Sequence, residues 1–249
     1  MIKKKNKIKL GVNIDHAATL RQVRGGSTTY PDLLQLCHES MEGGAEQITI
    51  HLREDRRHIQ LQDLQVLAAK CPVPLNLEMA ATDEMVRLAK KHKPSWVCFV
   101  PEKRQELTTE GGLDVFKQLS KLKKYVEKLQ PVGIEISMFI EPSLQQVQAS
   151  YDVGADAIEL HTGKWVALQG TAKQKEWNRL KLAALKCHAL GMRVHAGHGL
   201  DYAHAKKIRG LPHLQEVNIG HSLICYSLQD GLRRSVQKMQ KALLGHDVK

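Results

Sequence analysis

Long apolar runs are absent from this sequence of 249 residues. A transmembrane helix needs about 18 or more consecutive apolar residues, and the chain contains no such stretch. The N-terminus, Met1-Ile-Lys-Lys-Lys-Asn-Lys-Ile-Lys, also lacks the apolar segment of a secretory signal peptide. We therefore expect no membrane partner, and we predict a cytoplasmic protein.

Aromatic residues are scarce, at 4% of the chain, although the formal net charge is +11. A basic balance favours anionic partners such as nucleic acid, acidic lipid or phosphorylated metabolites. Part of the excess positive charge lies on one amphipathic stretch. In it, the apolar positions lie opposite four lysines, Lys117, Lys121, Lys124 and Lys128. Nucleic-acid grooves place aromatic side chains among the cations, so the composition argues against a nucleic-acid partner.

Paired cysteine motifs are also missing. The five cysteines are scattered, and no two have C-x-x-C spacing. An odd, unpaired set of this kind argues against a disulfide framework and against a thiolate metal site. We interpret these residues as buried or half-buried free thiols.

Short apolar runs alternate along the chain with longer stretches of helical periodicity. The predicted strands are residues 9–14, 47–51, 74–79, 96–100, 133–140, 157–161, 192–196 and 216–219. The predicted helices are residues 32–42, 62–70, 83–92, 113–129, 143–153, 174–190, 202–209 and 228–244. Strands that alternate with helices are typical of parallel βαβ units.

Eight such units in about 250 residues match a closed (β/α)8 TIM barrel. No linker rich in proline, glycine or serine divides the chain, so we predict an α/β protein with a single domain over residues 1–249. Residues 1–7 are predicted to be a disordered basic N-terminus. A doubly wound open sheet is the alternative, although no G-x-G-x-x-G follows the first strand.

Polar side chains cluster at the carboxyl ends of the predicted strands, where parallel barrels carry their catalytic groups. The histidines among them are His51, His161, His195, His198 and His221. Strand alternation places Asn76 and Glu78 on one face, which we expect to line the barrel. A carboxylate in that position is costly unless it is paired or lies at the mouth, so Glu78 is predicted to be functional. In the charged loop of residues 52–58, Arg53 and His58 are predicted to contact substrate.

Two glycine-containing turns follow the last two strands, namely Gly197-His198-Gly199 and Gly220-His221-Ser222. Amides exposed at a helix N-terminus bind anions, and barrels often bind phosphate at these loops. A second anion site is open at Arg21, Arg24 and residues 25–28, or at Thr108 and Thr109 ahead of Gly111-Gly112.

Barrel mouths rich in histidine often hold zinc or another divalent ion. This sequence has no H-E-x-x-H and no His-x-His after the first strand, and its mouth acids are mixed with arginines. We therefore expect no metal ligands. A metal-dependent hydrolase and a nucleic-acid binder remain the alternatives to a metal-independent enzyme.

At this point the sequence resembles a known family, pyridoxine 5'-phosphate synthase. The resemblance runs from about Leu10 to the C-terminal helix. It rests on long motifs, which are residues 11–21, 49–60, 100–115, Asn76-Leu-Glu-Met-Ala, Glu159-Leu-His-Thr-Gly, Ala196-Gly-His-Gly-Leu and Asn218-Ile-Gly-His. It implies a TIM barrel that condenses 1-deoxy-D-xylulose 5-phosphate with 3-amino-2-oxopropyl phosphate. The products are pyridoxine 5'-phosphate, phosphate and water, in the biosynthesis of vitamin B6.

The resemblance also implies roles for individual residues. His51 and Glu78 are expected to accept protons, His198 to donate one, and Glu159 to steady a charged intermediate. The deoxyxylulose phosphate is expected to contact Asp15, His16, Arg53, His58 and Thr108. The amino-ketone phosphate is expected to contact Asn13, Arg24, Gly199, Gly220 and His221. No cofactor is implied, and the implied assembly is a homo-octamer.

Two features depart from the family pattern. His195 stands where asparagine is expected, and its nearness in sequence to His198 predicts an effect on the pKa or hydrogen bonding of that residue. The loop from Arg24 to Tyr30 is longer than is usual, which affects how Arg24 reaches its phosphate.

Overall fold

A computed structural model describes residues 7–102 and 111–248 of the chain. Within these ranges, eight parallel strands close into one barrel in chain order. The strands are β1 (Lys9–Asn13), β2 (Gln47–His51), β3 (Leu75–Met79), β4 (Trp96–Phe99), β5 (Glu135–Ile140), β6 (Ala157–His161), β7 (Arg193–Gly197) and β8 (Leu214–Ile219). Because β1 pairs directly with β8, the predicted single-domain (β/α)8 barrel is confirmed and the open-sheet alternative is wrong.

The helices surround the barrel. They are α1 (Asp15–Gln22), α2 (Leu33–Gly43), α3 (Leu61–Lys70), α4 (Asp83–His92), α5 (Leu119–Leu129), α6 (Leu144–Asp152), α7 (Gly163–Ala167), α8 (Gly170–Ala189), α9 (Tyr202–Ile208), α10 (His221–Asp230) and α11 (Leu232–Leu244). The sequence does not predict α1 or α7. It also predicts one helix over residues 228–244, which includes α11 and only the last three residues of α10, and the structure separates the two helices at Gly231.

Local chemistry explains several helix ends. Thr82 caps α4 by accepting a hydrogen bond from the Met85 backbone N–H at 3.4 Å. Gly44 ends α2 with a left-handed φ of 104°, a conformation that glycine adopts without strain. In α5 the apolar face is buried and the lysine face is exposed, as the sequence predicts. Among the described residues, no helix has both the length and the apolar character that crossing a lipid bilayer requires.

The inside of the barrel is polar, whereas its outer wall is apolar. Alternate strand residues such as Ile48, Ile50 and Leu77 are fully buried in the main hydrophobic cluster. The intervening positions point inward because side chains alternate along a strand. The buried polar residues at such positions are Gln47, Thr49, Asn76, Glu159, His195, Glu216 and Asn218. Lys7, the first described residue, forms an ion pair with Glu46 at 3.2 Å.

Candidate active site

Three hydrogen bonds hold the junction of β1 and α1. Asn13 donates from Nδ2 to Asp15 Oδ2 at 2.8 Å, and its Oδ1 accepts from the Asp15 backbone N–H at 2.9 Å. Asp15 Oδ1 in turn accepts from the backbone N–H of His51 at 2.8 Å. Asp15 is the first residue of α1, where the helix dipole favours a negative charge. The carboxylate therefore joins the carboxyl ends of β1 and β2.

His51, at the end of β2, lies between two carboxyl groups. Its Nε2 is 2.8 Å from Glu102 Oε1, and its Nδ1 is 3.8 Å from Glu78 Oε2. Glu78 is the register partner of His51 on β3, and Glu102 follows β4. An imidazole in this position can pass a proton between groups on either side of it.

The two carboxyl groups beside His51 have opposite protonation tendencies. Burial, together with the charges of Glu159 and Asp15, raises the pKa of Glu78 well above its ordinary value. Burial also acts against the ionisation of Glu102, but the hydrogen bond to His51 and the charge of that ring outweigh it and lower the pKa of Glu102. At neutral pH, Glu102 is thus ionised, whereas Glu78 holds a proton more readily than an ordinary glutamate does.

The loop after β2 adds a buried cation and a second imidazole. Arg53 is only 3% exposed, and its Nε donates to Asp55 Oδ1 at 3.4 Å. Burial opposes the ionisation of Asp55, yet the hydrogen bonds and charges of Arg57 and Arg53 lower its pKa to about 2. The His58 ring lies 6.0 Å from the His51 ring, and burial is the largest cause of its lowered pKa. Both residues predicted from this loop therefore lie beside His51.

Four imidazoles gather near the ends of β1, β6, β7 and β8. The rings of His16 and His221 are 5.0 Å apart, as are those of His161 and His198. Burial, and then the neighbouring His161, His16 and His221, lower the pKa of His198 to about 4. His161 Nδ1 lies 2.8 Å from Glu141 Oε1. This low pKa keeps the His198 ring neutral in the free protein. An anion bound beside the ring would raise its pKa.

The backbone of His198 is left-handed, with φ of 82°, and Gly199 follows with φ of 76°. A residue with a Cβ pays a steric cost of about 1–2 kcal/mol in this conformation, so the surroundings must hold it. The hydroxyl of Thr162 lies 2.6 Å from the carbonyl oxygens of both Gly197 and His198. Thr162 therefore fixes the turn that presents the His198 ring to the mouth.

The two predicted anion turns differ in the structure. Gly220 directly precedes α10, which begins at His221, whereas the sequence predicts the last helix only from residue 228. The helix α9 begins at Tyr202, as the sequence predicts, and the Asp201 side chain caps it. The turn of Gly197–Gly199 therefore ends three residues before its helix, although those residues still border the mouth.

The remaining predicted binding residues are placed less closely. Arg21 gives both guanidinium nitrogens to the carboxylate of Asp63, at 2.9 and 2.5 Å, which disfavours it as an anion ligand. Arg24 is exposed in the turn after α1, where its backbone N–H bonds the Arg21 carbonyl at 3.3 Å. Among the described residues, the Arg24 side chain forms no hydrogen bond or ion pair with the strand ends. Thr108 and Thr109 lie outside the described residues.

A buried carboxyl group lies below the mouth. Asn218 donates from Nδ2 to Glu159 Oε2 at 2.8 Å. Burial nevertheless raises the pKa of Glu159 to about 8, with the nearby charge of Glu216 acting in the same direction. Gly197 faces this carboxylate on β7, and a Cβ there would overlap Glu159 Oε1. The glycine is required because the strand and the carboxyl group approach so closely.

His195 does not act on His198 as the sequence predicts. Its Nδ1 is 3.6 Å from Glu216 Oε1, and its ring lies 5.2 Å from that of Trp96. The histidines that lower the pKa of His198 do not include His195. Its position near the start of β7 places it at the amino end of the barrel, because the side chain points inward two residues before Gly197.

Ligand atoms of Asp15, His51 and Glu78 lie within 4.8 Å of one another, which is close enough for a metal ion. The sequence gives no sign of this group because each residue comes from a different strand end. Both oxygens of Asp15 already accept hydrogen bonds, and the raised pKa of Glu78 disfavours the ionised form of its carboxyl group. These features oppose metal binding, since ligating carboxylates must be ionised.

The sequence also fails to single out Glu102 and Thr162. Glu102 belongs to the motif of residues 100–115, but the resemblance gives it no role. Thr162 belongs to the Glu159-Leu-His-Thr-Gly motif, but its contact with the turn after β7 depends on the folded barrel. The available signals were these motifs and the position of both residues next to strand ends.

Comparison with known proteins gives consistent results. The family model described as "Pyridoxal phosphate biosynthesis protein PdxJ" matches residues 10–245. A curated protein of Bdellovibrio bacteriovorus named "Pyridoxine 5'-phosphate synthase" is 69% identical over 239 residues, which cover 96% of this chain and 99% of the relative. A Photobacterium profundum protein of the same name is 49% identical, over 96% of this chain and 98% of the relative. The solved structure titled "KGPDC from Streptococcus mutans" covers 96% of this chain and 100% of its own, with a TM-score of 0.64 and 14% identity, which indicates a shared fold alone.

Proposed function

The chain belongs to the PdxJ family of pyridoxal phosphate biosynthesis proteins, and from this premise we propose that its barrel mouth forms pyridoxine 5'-phosphate. The substrates are 1-deoxy-D-xylulose 5-phosphate and 3-amino-2-oxopropyl phosphate, and phosphate and water are released. The enzyme is a synthase of the transferase type in the biosynthesis of vitamin B6. Its chemistry is acid/base catalysis without a metal or organic cofactor.

The observation that carries the proposal is the arrangement of protonation states around His51. One neighbour, Glu102, is held ionised, and the other, Glu78, has a raised pKa. Across the mouth, His198 is held neutral. A reaction with several proton transfers needs groups poised to accept and to donate in the same pocket, and this mouth contains both kinds.

The chemistry accounts for the number of these groups. An amine and a ketone form an imine with loss of water, and ring closure then makes a carbon–carbon bond as phosphate and water leave. In each step a proton moves on or off carbon, nitrogen or oxygen. His51 and Glu78 accept protons, His198 donates one, and the Glu159 carboxyl steadies a charged intermediate.

The two phosphates account for the cations and amides. Each carries a charge of about −1.5 to −2 at neutral pH, and needs cations or backbone N–H groups. Asp15, His16, Arg53, His58 and Thr108 hold the deoxyxylulose phosphate. The amino-ketone phosphate is held by Asn13, Arg24, Gly199, Gly220 and His221. A phosphate near His221 also raises the pKa of His198, so substrate binding prepares the proton donor.

The direct test mixes the purified protein with both phosphates and detects pyridoxine 5'-phosphate by absorbance and mass. A parallel sample contains excess EDTA, and we expect the same turnover because Asp15 and Glu78 are poorly suited to bind a metal. Absence of product would refute the proposed reaction. Loss of turnover in EDTA, restored by one divalent ion, would instead indicate a metal-dependent enzyme at the cluster of Asp15, His51 and Glu78.

We further propose a cytoplasmic homo-octamer whose partners are the two phosphorylated substrates, with no role for nucleic acid or membrane. The support is the family membership and the small number of aromatic residues available to stack on bases. Light scattering coupled to size-exclusion chromatography measures the assembly. Binding to DNA that is steep in salt concentration would contradict the exclusion of nucleic acid.

A further inference from the structure

Glu102 lies at the mouth, and the family resemblance implies no role for it. It follows β4, yet its carboxylate reaches past the end of β3 to His51 on β2. Oε1 lies 2.8 Å from His51 Nε2, and Oε2 accepts from the backbone N–H of Glu54 at 3.0 Å. The side chain is 5% exposed, so this geometry is held inside the protein and not by a mobile surface contact.

These two bonds decide which nitrogen of His51 carries the proton. An ionised carboxylate accepts hydrogen bonds and cannot donate one. His51 Nε2 therefore bears the hydrogen that bonds Glu102, and in the neutral ring the lone pair is on Nδ1. Nδ1 is the nitrogen that faces Glu78, at 3.8 Å. The carboxylate thus selects the tautomer whose basic nitrogen is directed into the mouth.

We propose that Glu102 is a positioning residue for the reaction, which holds His51 in the Nε2–H tautomer and stabilises its protonated form. The inference rests on the proposed function, in which His51 accepts a proton. When Nδ1 gains that proton, the ring becomes a cation with the Glu102 carboxylate already bonded to it. The same arrangement of a base oriented by a third group recurs in nucleophilic and acid/base enzymes.

Other ionisable groups also face His51. From each element packed against it these are Asp15 of α1, Arg53 and His58 of the loop after β2, Glu78 of β3, and Glu102 after β4. In the described part of the chain, Glu102 is the one group of this set that bonds a ring nitrogen of His51 within 3 Å. Its removal therefore has an effect on the ring that changes in the other groups do not reproduce.

The kinetic test compares Glu102→Gln with Glu84→Gln. Glu84 is the matched control because its carboxylate also bonds the loop after β2, through Arg56 at 2.7 Å, but does not touch His51. For Glu102→Gln we expect kcat to fall about 10²–10³-fold, the range for disabling a general base. The pKa that defines the acid limb of the pH profile of kcat/KM should also fall, because the His51 imidazolium loses the negative charge of Glu102 beside it. Glu84→Gln should keep both values.

An equal loss of kcat with an unmoved acid limb would overturn the proposal, because it would assign Glu102 a structural role only. Unchanged kcat would overturn it as well. Glu102→Asp, which keeps the charge on a shorter side chain, should recover part of the activity and return the acid limb toward that of the parent protein.

A second measurement does not depend on activity. The 15N chemical shifts of His51 in the substrate-free protein report its tautomer, with the signal identified by its loss in His51→Gln. We expect the Nε2–H tautomer in the parent and a shift toward Nδ1–H in Glu102→Gln, whose amide can donate to Nε2. The same tautomer in both proteins would refute the role of Glu102. The result stands even if the protein fails to form pyridoxine 5'-phosphate, so the two proposals fail separately.

Discussion

At the carboxyl end of the barrel His51 bonds Glu102 and faces Glu78, and at the amino end His195 faces Glu216 at 3.6 Å. The residue types are the same, but their surroundings differ. His51 lies among the loops after three strands, where substrates can enter. Burial, with the charges of Arg193 and Lys9 acting in the same direction, lowers the pKa of His195 to about 3 and keeps it neutral. From the proposed function we therefore expect a reactive histidine–glutamate pair at the carboxyl end of the barrel and a structural one at the amino end.

At the amino end, a cationic side chain stacks on an aromatic ring. The guanidinium of Arg193 lies 4.3 Å from the centre of the Trp96 ring and bonds Glu135 at 2.7 Å. At the mouth, by contrast, no such stack covers His51 among the described residues. Substitutions at the mouth should therefore change turnover, and substitutions at the amino end should change stability.

The largest effect is expected for Glu78→Gln. The amide keeps the shape and hydrogen-bonding capacity of the side chain but cannot accept the proton, so turnover should fall about 10²–10⁴-fold. The melting temperature should stay close to that of the parent. Steady-state product formation and thermal melting of the two proteins measure both quantities.

Near-normal turnover in a folded Glu78→Gln protein would remove Glu78 from the mechanism. Loss of folding would instead make this carboxyl group structural. The expectation that substitutions at the mouth change turnover and not stability would then be wrong.

A smaller effect is expected at the amino end for His195→Asn. The pKa of His195 is about 3 in the folded protein, well below the ordinary 6.5. Between these values the unfolded chain binds more protons, so stability present above pH 6.5 is lost as the pH falls. The variant should lose about 2 kcal/mol less stability than the parent between pH 7 and pH 5. Urea denaturation at the two pH values measures this difference, and turnover should be unchanged.

Glu216→Gln is the matched control for this pH dependence. Burial raises the pKa of Glu216 to about 7, above the ordinary 4.5, so its contribution has the opposite sign. That stability is present at low pH and is lost as the pH rises through about 7. Glu216→Gln should therefore lose more stability than the parent on acidification. Equal losses in the parent and both variants would show that the amino-end pair does not titrate as the structure indicates.

The smallest effect is expected for Arg193→Ala. The Arg193 and Glu135 side chains are 35% and 46% exposed, and exposed ion pairs of this kind contribute about 1 kcal/mol or less. The stack on Trp96 adds a similar amount at most. Chemical denaturation should show a loss of about 1 kcal/mol with kcat and both KM values unchanged. A large fall in kcat would show that the amino end takes part in the reaction.

The barrel could be predicted because strand and helix periods alternate so regularly, and β2, β6 and α4 have the predicted bounds. The errors have local causes. The eight residues of α1 include only three apolar side chains, Ala17, Ala18 and Leu20, so its helical period is too short to recognise. Conversely, the apolar period continues across Gly231, whose left-handed φ of 75° nevertheless separates α10 from α11.

The site was predictable where a strand end carries it, as for Asp15, His51 and Glu78. The contacts that tune it were not, because they join residues far apart in sequence. Glu102 and His51 are 51 positions apart, and nothing in either segment indicates the other. The polar inside of the barrel was also missed beyond β3, although the alternation of Glu216 and Asn218 is an available signal.

The pairing of β1 with β8 has a consequence for protein synthesis. Gly11 lies opposite Asn218, and the His16 ring contacts that of His221, so the first and last strands complete one pocket. A nascent chain that still lacks β8 has two open sheet edges and no Gly220 or His221 beside Asn13. We therefore expect that no substrate is held until nearly the whole chain has left the ribosome, and that a product shortened before β8 has no partial activity.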